Sequence, residues 1–155
     1  MPKLDLDAIP QTNATGYPPP FDQDVQGRNY RRLAPAVGLT KLGASHVVLD
    51  PGAFSSQRHW HEGQDELVIL LEGEAVLIEE TGETAVGAGD ILAWKAGERN
   101  GHRLHNRSNS PCVFVAVSGG DRDSDRGEYP DIDMVFEPGG YFTKDGTPYP
   151  TSRIP

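Results

Sequence analysis

From about residue 44 the chain is written in short β-branched and aliphatic runs, among them "SHVVLD", "AFSSQRHWH", "ELVILLEG", "EAVLIEE", "DILAW", "HRLHN", "CVFVAVSG" and "IDMVFE", with turn residues every 8 to 12 positions. Segments of this length cannot satisfy their backbone groups alone, and a succession of them pairs into a sandwich or closes into a barrel. No window beyond Glu62 repeats apolar residues at helical spacing, and 18 Gly and 13 Pro work against long helices. The expectation is an all-β fold whose barrel covers residues 44–137. Within it, "ELVILL" and "CVFVAV" are apolar on both faces, which predicts strands between packed layers. Glu72-Gly73 predicts a tight hairpin, and Asn100-Gly101 a type I′ turn.

Residues 1–43 read differently. Their Pro, Gly and polar content, without either apolar period, predicts an extended N-terminal arm. Tyr17, Phe21 and Tyr30 make it too aromatic for a free linker, so it is expected to lie against the barrel or a neighbouring subunit. Residues 138–155 form a turn-rich C-terminal tail.

A chain of 155 residues is one domain long, able to bury about two-thirds of its unfolded surface. Fourteen basic against 23 acidic side chains leave a formal net charge of -9, the wrong sign for a phosphate backbone, so no nucleic-acid partner is expected. The excess gathers between Glu62 and Asp90, where nine carboxylates stand without a Lys or Arg. Solvated strand edges account for most of them. The start lacks a basic and an apolar leader region, and no apolar run approaches the roughly 20 residues that span a bilayer. No membrane partner is expected, and the compartment expected is cytoplasmic. The single Cys112, inside "CVFVAV", reads as a reduced structural thiol.

The chemistry gathers in "HWHEGQDE", residues 59 to 66. Residues two apart on a strand share a face, so His59 and His61 present two imidazoles together while Trp60 points away. Glu66 follows a polar, glycine-bearing connection long enough to bring its carboxylate back from the next strand. His102 and His105 are the candidates for a third imidazole, and their odd separation lets only one face the interior. Three neutral imidazoles and a carboxylate suit a divalent transition metal, Fe, Mn, Ni or Zn, with open positions left for water or a small molecule.

The spacing Gly52, six residues, His59-x-His61, four residues, Glu66, six residues, Gly73 resembles the first signature of the cupin superfamily, with one extra residue before His59. Gly89, five residues, Lys95-Ala96-Gly97, four residues, His102, three residues, Asn106 is similar to the second. Lys95 there replaces the family's usual proline, and two residues are inserted before the histidine. The resemblance implies a double-stranded β-helix, or jelly-roll barrel, with a metal at its mouth held by His59, His61, Glu66 and His102, and frequent homodimers. The His-x3-Asn register selects His102 over His105. The resemblance does not imply a substrate; the partner expected is a small organic molecule, polar or carboxylated. The activity is either that of a metal-dependent dioxygenase, isomerase or lyase, or that of a non-catalytic binding or sensing module. No catalytic residue beyond the ligands is singled out.

Other features have plainer readings. Asp121, Asp123 and Asp125 mimic a calcium loop, yet Arg126 stands where glycine is required and Ile132 where a bidentate Glu belongs. His46 reads as a core or surface histidine and His105 as outward-facing. Trp60 and Trp94 read as sheet packing, and Arg58 as an ordinary edge contact.

Overall fold

The computed structural model describes residues 3–150, so the outermost ends of the expected arm and tail lie outside the described residues. Twelve strands and a single turn of α-helix follow one another: β1 (Arg28–Arg32), α1 (Leu33–Ala36), β2 (Leu42–Leu49), β3 (Trp60–His61), β4 (Gln64–Glu72), β5 (Glu74–Glu79), β6 (Gly82–Gly87), β7 (Ile91–Trp94), β8 (Arg103–His105), β9 (Cys112–Gly120), β10 (Gly127–Tyr129), β11 (Met134–Glu137) and β12 (Gly140–Phe142). All the strand pairings are antiparallel, in sheets of order β1-β2-β9-β4-β7, β6-β5-β8 and β12-β11-β10-β3. The architecture is all-β, as the run lengths predict, and is the jelly roll that the resemblance implies. Among the described residues no helix is long and apolar enough to cross a membrane.

The main core lies between the five-stranded and three-stranded sheets. Alternate residues of each strand supply it: Val47 and Leu49 from β2, Leu70 from β4, Cys112 and Phe114 from β9, against Ala75 and Leu77 from β5 and Leu104 from β8. Cys112 is fully buried there, and burial pushes its thiol pKa up, as an inert structural cysteine requires.

A second, aromatic core joins Tyr17 and Val25 of the N-terminal segment to Tyr129 and Met134 near the C-terminus. Thr12 bridges to Tyr30, and β1 pairs residue for residue with β2 from Arg28↔Leu49 to Arg32↔Ser45. The five-stranded sheet therefore takes in chain from within the first 43 residues, and β12 carries the four-stranded sheet past residue 137.

Three local expectations are corrected. Gly73, at φ 74°, is a corner and not a hairpin turn: β4 pairs with β7 and β9, whereas β5 pairs with β6 and β8 in the facing sheet. A Cβ there would collide with the Pro111 carbonyl oxygen, so the crossing needs glycine twice over. Asn100-Gly101 does not form a type I′ turn, since neither residue has positive φ. Asn100 is held instead by its side chain, which donates to Glu79 Oε1 at 2.9 Å and accepts from the Glu80 amide at 3.2 Å. Finally, β4 and β9 are covered on the barrel side only, and Leu67, Ile69, Val113, Val115 and Val117 on the other face are half-buried.

Candidate metal centre

His59 and His102 form an isolated antiparallel bridge, exchanging backbone hydrogen bonds of 3.3 and 2.9 Å. His61 ends β3, opposite Gly127 of β10, and Glu66 lies inside β4, opposite Trp94 and Ser118. Three segments, residues 59–61, β4 and the stretch just before β8, thus bring these side chains to one point. Nε2 of His102 is 2.7 Å from Glu66 Oε2, while Nε2 of His61 and of His59 lie 3.4 and 3.7 Å from Glu66 Oε1. One donor atom from each of His59, His61 and Glu66 falls within 4.8 Å of the others, a spacing a metal ion can bridge. The face shared by residues two apart therefore holds for His59 and His61. His105 lies elsewhere, stacked on Phe54 at 4.0 Å, with its Nδ1 accepting from Arg107.

Each imidazole is also held from behind. Nδ1 of His59 meets the Gln57 carbonyl oxygen at 2.8 Å, Nδ1 of His102 meets the Asn100 carbonyl oxygen at 2.9 Å, and Nδ1 of His61 meets Asp125 Oδ2 at 2.6 Å. All three partners are acceptors. They keep the proton on Nδ1 and leave the Nε2 lone pair directed at the centre. Asp125 accepts further from the Gly63 amide and from Gln64, and Trp94 lies flat against His102, 3.7 Å between centroids and 6° between planes. Glu79 accepts from the Trp94 indole N–H, at 2.9 Å, and from Asn100, so a single carboxylate steadies both supports of His102.

Burial pushes the Glu66 carboxyl up, but hydrogen bonds from His102, His59 and His61 outweigh it and hold the group well below the usual carboxylate range. Burial also lowers His59. At His61 the burial effect is overcome by the Glu66 and Asp125 carboxylates, and the ring is raised. The centre is thus an ionised carboxylate faced by three imidazole Nε2 atoms.

A cavity of about 360 Å³ opens inside the barrel on one side of this cluster, with His59, Glu66, His102, Trp94, Val68 and Phe114 in its wall. Trp94 is therefore a wall residue as well as a packing residue. Trp60 stays outside, with the Arg99 guanidinium 5.2 Å above its ring. Arg58 is occupied by Asp131 through two bonds, of 2.9 and 2.7 Å, and by Glu80 at 2.7 Å.

Sequence reasoning missed Asp125, Tyr129 and Arg28 near the site. In the sequence Asp125 stands out only as part of an imperfect calcium-loop pattern, and Tyr129, centred 5.8 Å from His59, arrives from the last sheet. No local spacing marks either, since 64 residues separate His61 from Asp125.

Arg58 supports a stability prediction. Its side chain is only 10% exposed, whereas Glu80 and Asp131 are 45% and 53% exposed. Replacing Arg58 by methionine is expected to cost about 1 to 2 kcal/mol, read as a lower urea midpoint at unchanged m, because the carboxylates stay hydrated. The hydrogen bonds from Arg58 depress the Asp131 pKa, so this contribution is complete above the unfolded pKa near 3.9 and fades as pH falls below it.

Comparison with known proteins agrees with this architecture. The cupin domain family model matches residues 45–118. The crystal structure of a sugar phosphate isomerase of the cupin superfamily from Silicibacter pomeroyi superimposes with a TM-score of 0.89 at 38% identity, covering 96% of this chain and 97% of that one. An oxalate-binding protein of Thermotoga maritima is 33% identical over 73 residues, 47% of this chain and 58% of that protein. A tetracenomycin polyketide synthase protein of Streptomyces glaucescens is 33% identical over 92 residues, 58% of this chain and 60% of that protein. The matches thus span about three-fifths of the length of these two curated relatives.

Proposed function

The chain belongs to the cupin superfamily, and on that premise we propose that His59, His61, Glu66 and His102 together ligate one divalent transition metal, which anchors a small polar or carboxylated organic molecule in the barrel. One observation carries this reading: every one of the three rings spends its Nδ1 on an acceptor, and every Nε2 faces the same carboxylate. Without a cation, each ring needs a second proton to bond Glu66, and three adjacent imidazolium ions repel. A metal removes that conflict.

Three nitrogens and one oxygen suit Fe, Mn, Ni or Zn, and such an ion supplies Lewis acidity or dioxygen activation at its open positions. The chain's own residues do the rest. Trp94 and Asn100 hold the His102 ring, Asp125 holds His61, and Val68 and Phe114 give the ligand a dry wall. The functions named for the similar proteins, sugar phosphate isomerisation and oxalate binding, support a small polar substrate for an isomerase, lyase or dioxygenase. A binding or sensing role, with the metal as anchor alone, is the competing reading.

Protein purified without tag or added metal is expected to carry close to one equivalent of a first-row metal, and the His59→Ala and His102→Ala variants almost none. A wild-type sample as empty as the variants sinks the reading. A thermal-shift screen of small acids and sugars on the loaded protein then finds the ligand class, since saturation at 100 times Kd adds about 2.7 kcal/mol.

The reading includes a homodimer. Leu67, Ile69, Val113, Val115 and Val117 form an apolar, half-exposed outer sheet face that a second copy can cover. Sedimentation velocity is expected to give a dimer for the wild type and a monomer for Val115→Glu; a monomeric wild type removes this part.

A further inference from the structure

Arg28 of β1 has the same strand parity as Tyr30, and both border the cavity that His59, Glu66 and His102 close on another side. Its Nη1 donates to the Ser55 carbonyl oxygen at 3.0 Å, and its carbon end lies 5.3 Å from the Tyr30 ring centroid. Nε is buried and, among the described residues, has no hydrogen-bond partner; among the same residues no bond or ion pair engages Nη2. The free edge of the guanidinium is thus the Nε and Nη2 fork, the geometry that takes a carboxylate or phosphate through two parallel hydrogen bonds.

The surroundings favour an anion. Glu66 is the sole carboxylate in the cavity wall, and the centre we assign to it neutralises that charge. Arg103 also borders the cavity, but its guanidinium stacks on Phe54 at 3.9 Å, on the opposite face of β8 from the core residue Leu104. A neighbouring cavity of about 330 Å³ shares Ser45, Glu66, Val68 and Ala116 with the first and is bordered by Arg32 and Arg122. The described residues show no carboxylate ion-paired with Arg28, Arg32 or Arg122. A protein of formal charge -9 therefore keeps arginines on the borders of both cavities.

We propose that Arg28 is the seat of an oxyanion on the natural ligand, a small molecule that carries a carboxylate or phosphate group at one end and reaches the metal centre with the other. This rests on the metal reading for the second contact only. A buried charged donor without a partner costs several times an ordinary hydrogen bond, and an oxyanion at the free fork removes that cost. The residue comes from β1, ahead of the matched residues 45–118, so the N-terminal segment contributes the selectivity of the site.

Inorganic phosphate and acetate are titrated separately into metal-free and Mn²⁺-loaded protein, with chloride balancing ionic strength, and binding is followed by calorimetry and thermal unfolding. At least one oxyanion is expected to bind the wild type in both forms, with its Kd raised about tenfold or more in Arg28→Met. Arg28→Lys keeps the charge, loses the fork and should fall between. Stronger phosphate binding points to a phosphorylated ligand, stronger acetate binding to a carboxylated one. Equal Kd in wild type and Arg28→Met, or no binding of either probe at tens of millimolar, overturns the seat. Wild-type protein that takes up no Mn²⁺ but binds phosphate in an Arg28-dependent way overturns the metal centre and supports the seat.

Discussion

Glu66→Gln is expected to lower the affinity for Mn²⁺ by more than about a hundredfold, whereas Asp125→Asn lowers it by about 10- to 100-fold. The order follows from where each carboxylate stands. Glu66 faces all three Nε2 atoms, at 2.7, 3.4 and 3.7 Å, so the glutamine removes the charge that offsets the cation and turns one oxygen into a donor. Asp125 touches only the far side of His61, at 2.6 Å. It also accepts from the Gly63 amide at 2.8 Å and from Gln64 at 2.9 Å, and asparagine cannot accept all three. The His61 ring then loses its fixed tautomer but remains in the site. Competition against a fluorescent chelator at constant pH measures both constants. A larger loss for Asp125→Asn than for Glu66→Gln would mean that Glu66 is not a ligand.

Asn106→Ala is expected to cost about 3 to 5 kcal/mol of stability, among the largest single losses available in this chain. The side chain is fully buried, with every polar atom engaged. Nδ2 donates to the carbonyl oxygens of Leu49 and Ser110, both at 2.8 Å, and Oδ1 accepts from the Ser108 amide at 3.0 Å and the Ser108 hydroxyl at 2.7 Å. Alanine strands the Leu49 carbonyl oxygen and the Ser108 amide and leaves a void, while the Ser108 hydroxyl and the Ser110 carbonyl oxygen still pair at 2.9 Å. The backbone of Asn106 adds a hydrogen bond from the Gly52 amide, at 2.6 Å, and one to Ala53. The residue thus ties the end of β8 to the end of β2 and to the turn before β9. Urea unfolding should show a lower midpoint with unchanged slope, while Asn109→Ala, an exposed neighbour, stays within about 0.5 kcal/mol of wild type. A loss under about 1 kcal/mol for Asn106→Ala removes this account of the junction.

The Asn106 network also explains why the His-x3-Asn register selects His102. With β8 anchored at Asn106, Leu104 turns into the core, His102 shares its face, and His105 turns away onto Phe54. The two inserted residues before His102 are absorbed where Asn100 bonds to Glu79 and Glu80, outside the paired strand. The register of the ligand is therefore indifferent to them.

Period-two alternation and turn chemistry are local properties, and they were sufficient for the strands from β2 to β9, apart from β3 and β6, and for placing His59 and His61 on one face. Glu66 and His102 were legible only because their spacing from Gly73 and Asn106 resembles the two family signatures; the residues by themselves left His102 and His105 open. What those properties leave open is which strands pair. Gly73 reads as a hairpin turn in one dimension, yet it is a corner because Leu70 and Leu77 must be buried from opposite sheets of the same core. Asp125, Trp94, Tyr129 and Arg28 meet the site through such non-local pairings, Asp125 from 64 residues beyond His61. The amino-acid order alone determined an all-β chain with His59 and His61 on one face, and the family resemblance added Glu66 and His102 as expected donors. Only the packed tertiary structure decided what stands behind each imidazole and which cation faces the cavity, because burial of the whole core sets strand order and no local period encodes it.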